Sequence, residues 1–227
     1  MAKQSKRYTS AQSTIDIEKL YNIEEAVGLV KSNATAKFDE TVELHVKTNA
    51  DTRHAEQLVR GVVLLPHGLG KIVRVLVFAQ ADGAISAKDA GADFVGSQDY
   101  LDKIKGGWTD VDKIVVTPDL MAEVGKLGKI LGPKGLMPNP KAGTVTNDVG
   151  KSIKELKAGK IDVRVEKNGI LHSSIGKTSF SENDLKENFN VFHRAVISAK
   201  PNSFKGTFLN SISLSSSLGP GIKVGVE

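Results

Sequence analysis

Ile72-Val73-Arg74-Val75-Leu76-Val77-Phe78-Ala79 is a nearly continuous apolar run, and its character decides how the chain divides. Strands that read this way are covered on both faces, as in a parallel sheet with helices on either side. The earlier stretch from Phe38 to Lys47 reads otherwise. There Phe38, Val42, Leu44 and Val46 alternate with Thr41, Glu43, His45 and Lys47, a period of two that leaves one sheet face in water. One chain therefore holds two kinds of sheet.

Outward from Ile72, the first kind continues. Lys113-Ile114-Val115-Val116-Thr117 is a second β-branched run, Gly91 to Gly96 a shorter strand, and helix-length segments fall at 84–90, 97–105, 119–124 and 148–158. Strands and helices alternating at this pitch predict a small parallel α/β domain. Toward the N-terminus, Asn22-Ile23-Glu24-Glu25 resembles a capping box and opens a helix with Ile23, Ala26, Val27 and Val30 on one face. A short helix around 53–58 leads into a strand at 61–65, and Pro66-His67-Gly68-Leu69-Gly70 then breaks the pattern. From Lys160 the half-buried pattern returns. Ile161 to Val165 and Ile170 to Ile175 flank an Asn168-Gly169 hairpin signal. Ser181 caps a long helix carrying Leu185, Phe189, Phe192, Val196 and Ile197, and Thr207 to Leu214 makes a further strand. Neither terminal third has enough strands to close a sheet alone. Residues 1–67 plus 160–227 are thus expected to form one discontinuous α+β domain, with 68–159 inserted as an α/β domain. The two chain crossings, at 66–70 and 158–160, would permit hinge motion.

The 227 residues carry 31 Lys and Arg against 26 Asp and Glu, and no cysteine. A chain of this length can bury about 70% of its extended surface and needs no covalent staples. Without cysteine there is no disulfide framework, thiolate zinc site or cysteine nucleophile. Apolar runs fall far short of the ~20 residues of a membrane span. No apolar segment follows the basic start Met1 to Arg7, which argues against a signal peptide. A soluble, cytoplasmic protein is the expectation. The charge is unevenly placed: Val124 to Asn147 holds Lys126, Lys129, Lys134 and Lys141 and no acidic residue. One-sign charge of this kind suits a polyanion.

Enzyme readings find little support. There is no Walker A run and no GxGxxG, and the histidines (His45, His54, His67, His172, His193) show no HExxH or HxH metal spacing, so each reads as a surface or packing residue. Ser174-Ile175-Gly176-Lys177 matches SxxK, but at a strand end where that chemistry needs a helix start. No catalytic residue, cofactor or metal is expected. Two features stand apart. Ile130-Leu-Gly-Pro-Lys-Gly-Leu-Met-Pro-Asn-Pro-Lys-Ala-Gly-Thr144 puts three prolines and three glycines in 15 residues, excluding a regular helix or central strand. Rigid loops of this length are usually functional. Ser213-Leu-Ser-Ser-Ser-Leu-Gly-Pro-Gly221 ends a strand in hydroxyls and bare amides, groups that contact phosphates and 2′-hydroxyls.

The Ile130–Thr144 run, Ala36-Lys-Phe-Asp-Glu-Thr-Val-Glu43, Val59-Arg-Gly-Val-Val-Leu-Leu-Pro-His-Gly-Leu-Gly-Lys71 and Lys205-Gly-Thr-Phe-Leu209 together resemble the bacterial ribosomal protein L-one family. The resemblance covers essentially the whole chain. It implies a split two-layer α+β domain with an inserted Rossmann-like three-layer α/β domain. It further implies a structural protein of the large (50S) ribosomal subunit, binding the rRNA of the mobile stalk and assisting release of exit-site tRNA. Repression of the chain's own operon messenger, and a monomer when free, belong to the same expectation. Matched residue by residue, the family's rRNA surface falls on Lys37, Phe38, Thr41, Glu43, His172, Ser217, Leu218 and Gly219. Lys126, Lys129, Lys134 and Lys141 are the candidate tRNA-facing residues. Ser217-Leu218 stands where the family usually has Thr-Met; serine keeps the hydroxyl and leucine the apolar bulk. Competing readings are a small α/β enzyme and a module that docks a protein through Ile130–Thr144.

Overall fold

The computed structural model describes residues 5–54, 57, 59–201 and 204–225. In chain order the described elements begin with α1 (Lys6–Ser13), α2 (Ile23–Asn33), β1 (Thr41–Thr48), β2 (Arg60–Leu64), β3 (Val75–Phe78), α3 (Ala81–Asp89), β4 (Phe94–Gly96), α4 (Gln98–Lys105) and β5 (Lys113–Val116). They continue with α5 (Met121–Gly125), α6 (Gly128–Leu131), α7 (Val149–Ala158), β6 (Lys160–Arg164), β7 (Ile170–Lys177), α8 (Glu182–Ser198), β8 (Leu209–Ser216) and β9 (Ile222–Val224). The chain separates into two compact units, Met1–Gly70 with Ile161–Glu227, and Lys71–Lys160.

In the terminal unit a four-stranded sheet runs β7-β1-β8-β9, antiparallel at every pairing. Val42, Leu44 and Val46 of β1 are buried with Leu171, Ile175, Ile212, Leu214, Ile222 and Val224. Ala26, Val27 and Val30 of α2 and Leu185, Phe189, Phe192 and Val196 of α8 join the same core, so helices cover one face only. That is the two-layer half of the expected fold. The Ser181 hydroxyl accepts from the Asp184 amide while the Asp184 carboxylate accepts from the Ser181 amide, a reciprocal cap of about 1 kcal/mol. Val42 pairs with Gly176 but Glu43 with Ser174, so Ile175 is a bulge residue. Gly176 has φ 152°, and a Cβ there would stand 2.8 Å from Leu185 Cδ2. Only glycine lets α8 approach the sheet so closely.

The inserted unit holds a parallel three-stranded sheet, β4-β3-β5. Val75, Val77 and Val115 face one cluster with Ala87, Val149, Ile153 and Leu156 of α3 and α7. Leu76, Phe78, Ile114 and Val116 face another with Leu101, Ile104, Val124 and Leu131 of α4, α5 and α6. Helices on both faces make three layers, as the unbroken apolar runs require.

Several local expectations are corrected. β1 begins at Thr41, so Phe38 lies in the preceding loop, 57% exposed and not on the inner face. The apolar run at 72 outlasts its strand: β3 is Val75–Phe78, and Ile72 is 87% exposed. The Asn168-Gly169 turn exists, with Gly169 at φ 74°, but β6 pairs with β2 and β7 with β1. Of the expected hairpin only a Val165–Leu171 bridge remains. Leu171 and Ile175 complete the four-stranded core, and the long β1 ladder holds them there. β8 carries a register shift opposite Lys47 and Thr48 and continues to Ser216, and β9 follows it unannounced by the sequence pattern. Asn22 precedes α2 without a side-chain cap. The proline-glycine run begins on the last two residues of α6 and contains a 3₁₀ turn at Pro140–Ala142, which tolerates proline at its first position. Of the helix expected at 53–58, residues 55, 56 and 58 lie outside the described residues. No described helix is long and apolar enough to cross a membrane.

Candidate nucleic-acid interface

The uncovered face of the terminal sheet is built from the residues that alternate with the core. The register sets them in transverse rows: Ser174–Glu43–Ser215, then His172–His45–Ser213–Lys223, then Ile170–Lys47–Ser211. Hydroxyls and imidazoles outnumber charges on this surface. His45 Nδ1 lies 2.7 Å from His172 Nδ1 and His45 Nε2 lies 3.0 Å from Ser215 Oγ. One Nδ1 must donate and the other accept, so at least one imidazole of the pair is neutral. Burial, and then the neighbouring His172, lower the His45 pKa against the opposing pull of Glu43, whose carboxylate stands 4.0 Å from Nε2.

At the Thr41 end of β1 two loops meet. The Ser217 hydroxyl accepts from the Thr41 amide at 3.0 Å, and Lys177 Nζ donates to Thr41 Oγ1 at 2.8 Å. Asp39 accepts from the Thr178 hydroxyl and from the amide and hydroxyl of Ser179. The Ser179 hydroxyl bond chiefly holds its carboxyl below the usual range against the opposing effect of burial, helped by the Thr178 hydroxyl, the Ser179 amide and Lys177. Glu40 is 1% exposed. Its Oε1 accepts from the Ala36 amide at 2.9 Å and its Oε2 from the Leu218 amide at 3.0 Å. Burial alone would raise its pKa, but the Ser216 hydroxyl, these two amides and Arg7 outweigh burial and hold it below the ordinary value. Ser216 Oγ is itself buried beside the carboxylate without an aligned hydrogen bond. A Cβ on Gly219 would stand 2.5 Å from that oxygen, so a larger residue in the turn would have to push the Ser216 hydroxyl aside. Arg7 Nη2 donates to the Leu218 carbonyl at 3.4 Å.

Of the residues singled out in the sequence, Thr41, Ser217, Leu218 and Gly219 come together here, with Lys37 and Phe38 on the adjoining loop. Glu43 and His172 stand further along the same face, joined through His45. Phe38 and Leu218 offer apolar side chains to solvent, 57% and 48% exposed. Three participants escaped the sequence reading. Ser215 and His45 were legible as members of the alternating face, but neither carries a motif. Glu40 had a signal: it is in phase with Val42, Leu44 and Val46, and a carboxylate on the buried parity needs partners.

In the inserted unit, Lys126, Lys129, Lys134 and Lys141 are all exposed, and Lys134 Nζ donates to Thr109 Oγ1. Their segment is held from within. Leu131 and Leu136 are buried, the Asn139 side chain accepts from the Lys141 amide, and the Thr144 hydroxyl accepts from the Asn139 amide and donates to its carbonyl. Among the described residues no group of three or more His, Asp or Glu could hold a metal ion.

A half-open sheet whose free side is set with hydroxyls, imidazoles and a pinned amide-rich turn offers donors and acceptors of the kind that meet the sugar and base edges of RNA. The family model for the ribosomal protein L1p/L10e family matches residues 30–220, and the chain belongs to that family. It is accordingly a structural, rRNA-binding protein of the large ribosomal subunit and not an enzyme.

Proposed function

We propose that the discontinuous terminal unit holds the stalk rRNA through Lys37, Phe38, Thr41, Glu43, His172, Ser217, Leu218 and Gly219. The observation that carries this reading is the convergence of the 36–41 loop and the 216–219 turn at one end of an uncovered sheet face. Hydroxyls and amides there match 2′-hydroxyls and phosphate oxygens, and Phe38 is free to stack on a base or pack on a sugar. Glu43 accepts from a base amino group or a 2′-hydroxyl. The inserted unit presents Lys126, Lys129, Lys134 and Lys141 to exit-site tRNA and assists its release. In the same reading the free chain is a monomer, and the terminal unit binds a stalk-like fold in its own operon messenger, so that excess protein represses translation.

Filter binding to the stalk rRNA fragment, a scrambled hairpin, the messenger leader and tRNA, each across a salt series, tests the whole scheme. Tight, fragment-selective binding that weakens with salt is expected, and the slope counts phosphate contacts. Equal, weak binding to fragment and scramble would overturn it.

A further inference from the structure

We propose that Glu40 is a positioning residue for RNA binding: its buried carboxylate ties the loop carrying Lys37 and Phe38 to the turn carrying Ser217, Leu218 and Gly219 before RNA arrives. The inference rests on the rRNA surface proposed above and adds a residue that surface does not include. Glu40 is the only charged side chain among the buried described residues. Burying a carboxylate is costly unless it is paired, and its geometry explains what holds it. Each oxygen takes one main-chain amide, Ala36 on one side and Leu218 on the other, residues 182 positions apart in sequence. Arg7 of α1 fastens the turn separately by donating to the Leu218 carbonyl.

An apolar residue at this position would satisfy the core parity of β1 yet leave both amides without acceptors. The two segments would then be joined only by the Ser217–Thr41 bond and the end of the β1–β8 ladder, and the loop ahead of Thr41 would be free to move against the turn. Split sites of this kind bind weakly because the ligand must order both halves, and a fixed tie removes that cost. Glu40 itself does not touch RNA in this scheme, since its oxygens are occupied and enclosed.

The experiment compares wild type, E40Q, F38A and E40Q/F38A for binding to the stalk rRNA fragment and the scrambled hairpin, well below each melting temperature. Glutamine keeps the shape but offers one acceptor where two are needed. E40Q is expected to bind the fragment about tenfold more weakly, and F38A to cost less in the E40Q background than in wild type, because an untethered ring is no longer held in place. Hydrogen exchange in free wild type is the second measurement: the Ala36 and Leu218 amides should already be protected and gain little on RNA binding. That measurement stands even if E40Q does not fold. Unchanged E40Q affinity overturns the proposal while leaving the RNA surface intact, as does a full F38A penalty in both backgrounds. Protection of the two amides only in the complex would do the same. Failure of wild type to prefer the fragment overturns the RNA surface, and this proposal with it.

Discussion

The open sheet end of the terminal unit and the lysine loop of the inserted unit are both irregular surfaces pinned from beneath, and they differ in what they expose. In the first, Glu40, Asp39 and Ser217 fasten two loops by side-chain bonds to main chain, and beside the charges of Lys37 and Glu43 the exposed groups are mostly hydroxyls, imidazoles, an aromatic ring and a leucine. In the second, Asn139 and Thr144 perform the fastening, and the exposed groups are ammonium ions. A surface of the first kind reads shape and sugar, with modest salt dependence. The second kind attracts phosphate at a distance and loses its grip as counterions accumulate. The two proposed RNA contacts thus differ in physical character and can be separated by experiment.

The largest expected separation comes from Phe38→Ala. If the ring packs on RNA, the substitution weakens binding of the stalk rRNA fragment by about 1–3 kcal/mol, while stability stays within about 0.5 kcal/mol because the side chain is exposed. Binding to tRNA should not change. An unaltered rRNA affinity in filter binding would remove the ring from the interface. The complementary change, Lys134→Ala with Lys141→Ala, should spare rRNA binding and reduce the logarithmic salt slope of tRNA binding by about 1–2. Equal losses toward both RNAs would mean that the two surfaces are not distinct.

What the sequence disclosed follows the same division. The Val75–Phe78 and Ile114–Val116 runs announced a sheet covered on both faces, because every side chain there joins one of the two apolar clusters. The alternation in β1 likewise announced which residues face water. Long-range pairing was less legible. Asn168-Gly169 is a sound turn signal, yet β7 pairs with β1 over its whole length, since a turn fixes only local geometry and the core decides the ladder. The register shifts at Ile175 and Asn210 have no local signature. For the site, individual residue types were visible, but the ties between them were not. Ser217 meets Thr41 across 176 positions and Leu218 meets Glu40 across 178.

Those ties alter the expectation for Ser217. A hydroxyl that only met RNA could be lost without affecting the fold, but this one accepts from the Thr41 amide. Ser217→Val should therefore weaken rRNA binding and also lower stability by up to about 1 kcal/mol, the loss limited because water can reach the exposed amide. Ser217→Thr keeps the acceptor and should preserve both. Paired urea titrations and filter binding separate the two contributions. A valine variant of unchanged stability would show that water replaces the hydroxyl in full.

The smallest expected effect is a difference in pH response. All five histidines lie in the terminal unit's segments, and residues 71–160 contain none. Burial lowers the pKa of His193, and burial with the nearby His172 lowers that of His45, from 6.5. For both, the unfolded chain binds more protons below that value, so stability falls as pH drops from 6.5 through their folded pKa values. His67 has the opposite sign. The Glu187 hydrogen bond, with Asp184 and Glu187 charges, raises its pKa, so its contribution is present below 6.5 and lost as pH rises through the folded value. Urea midpoints of the terminal unit's transition should therefore peak near pH 6.5 and decline gently on both sides over the range about 5.5 to 8. His67→Asn should flatten the alkaline limb and His45→Asn part of the acid limb. Binding of tRNA through the lysine loop, which no histidine adjoins in sequence, should stay level across that range, and a tRNA affinity that followed the histidine titration would break the division between the two surfaces.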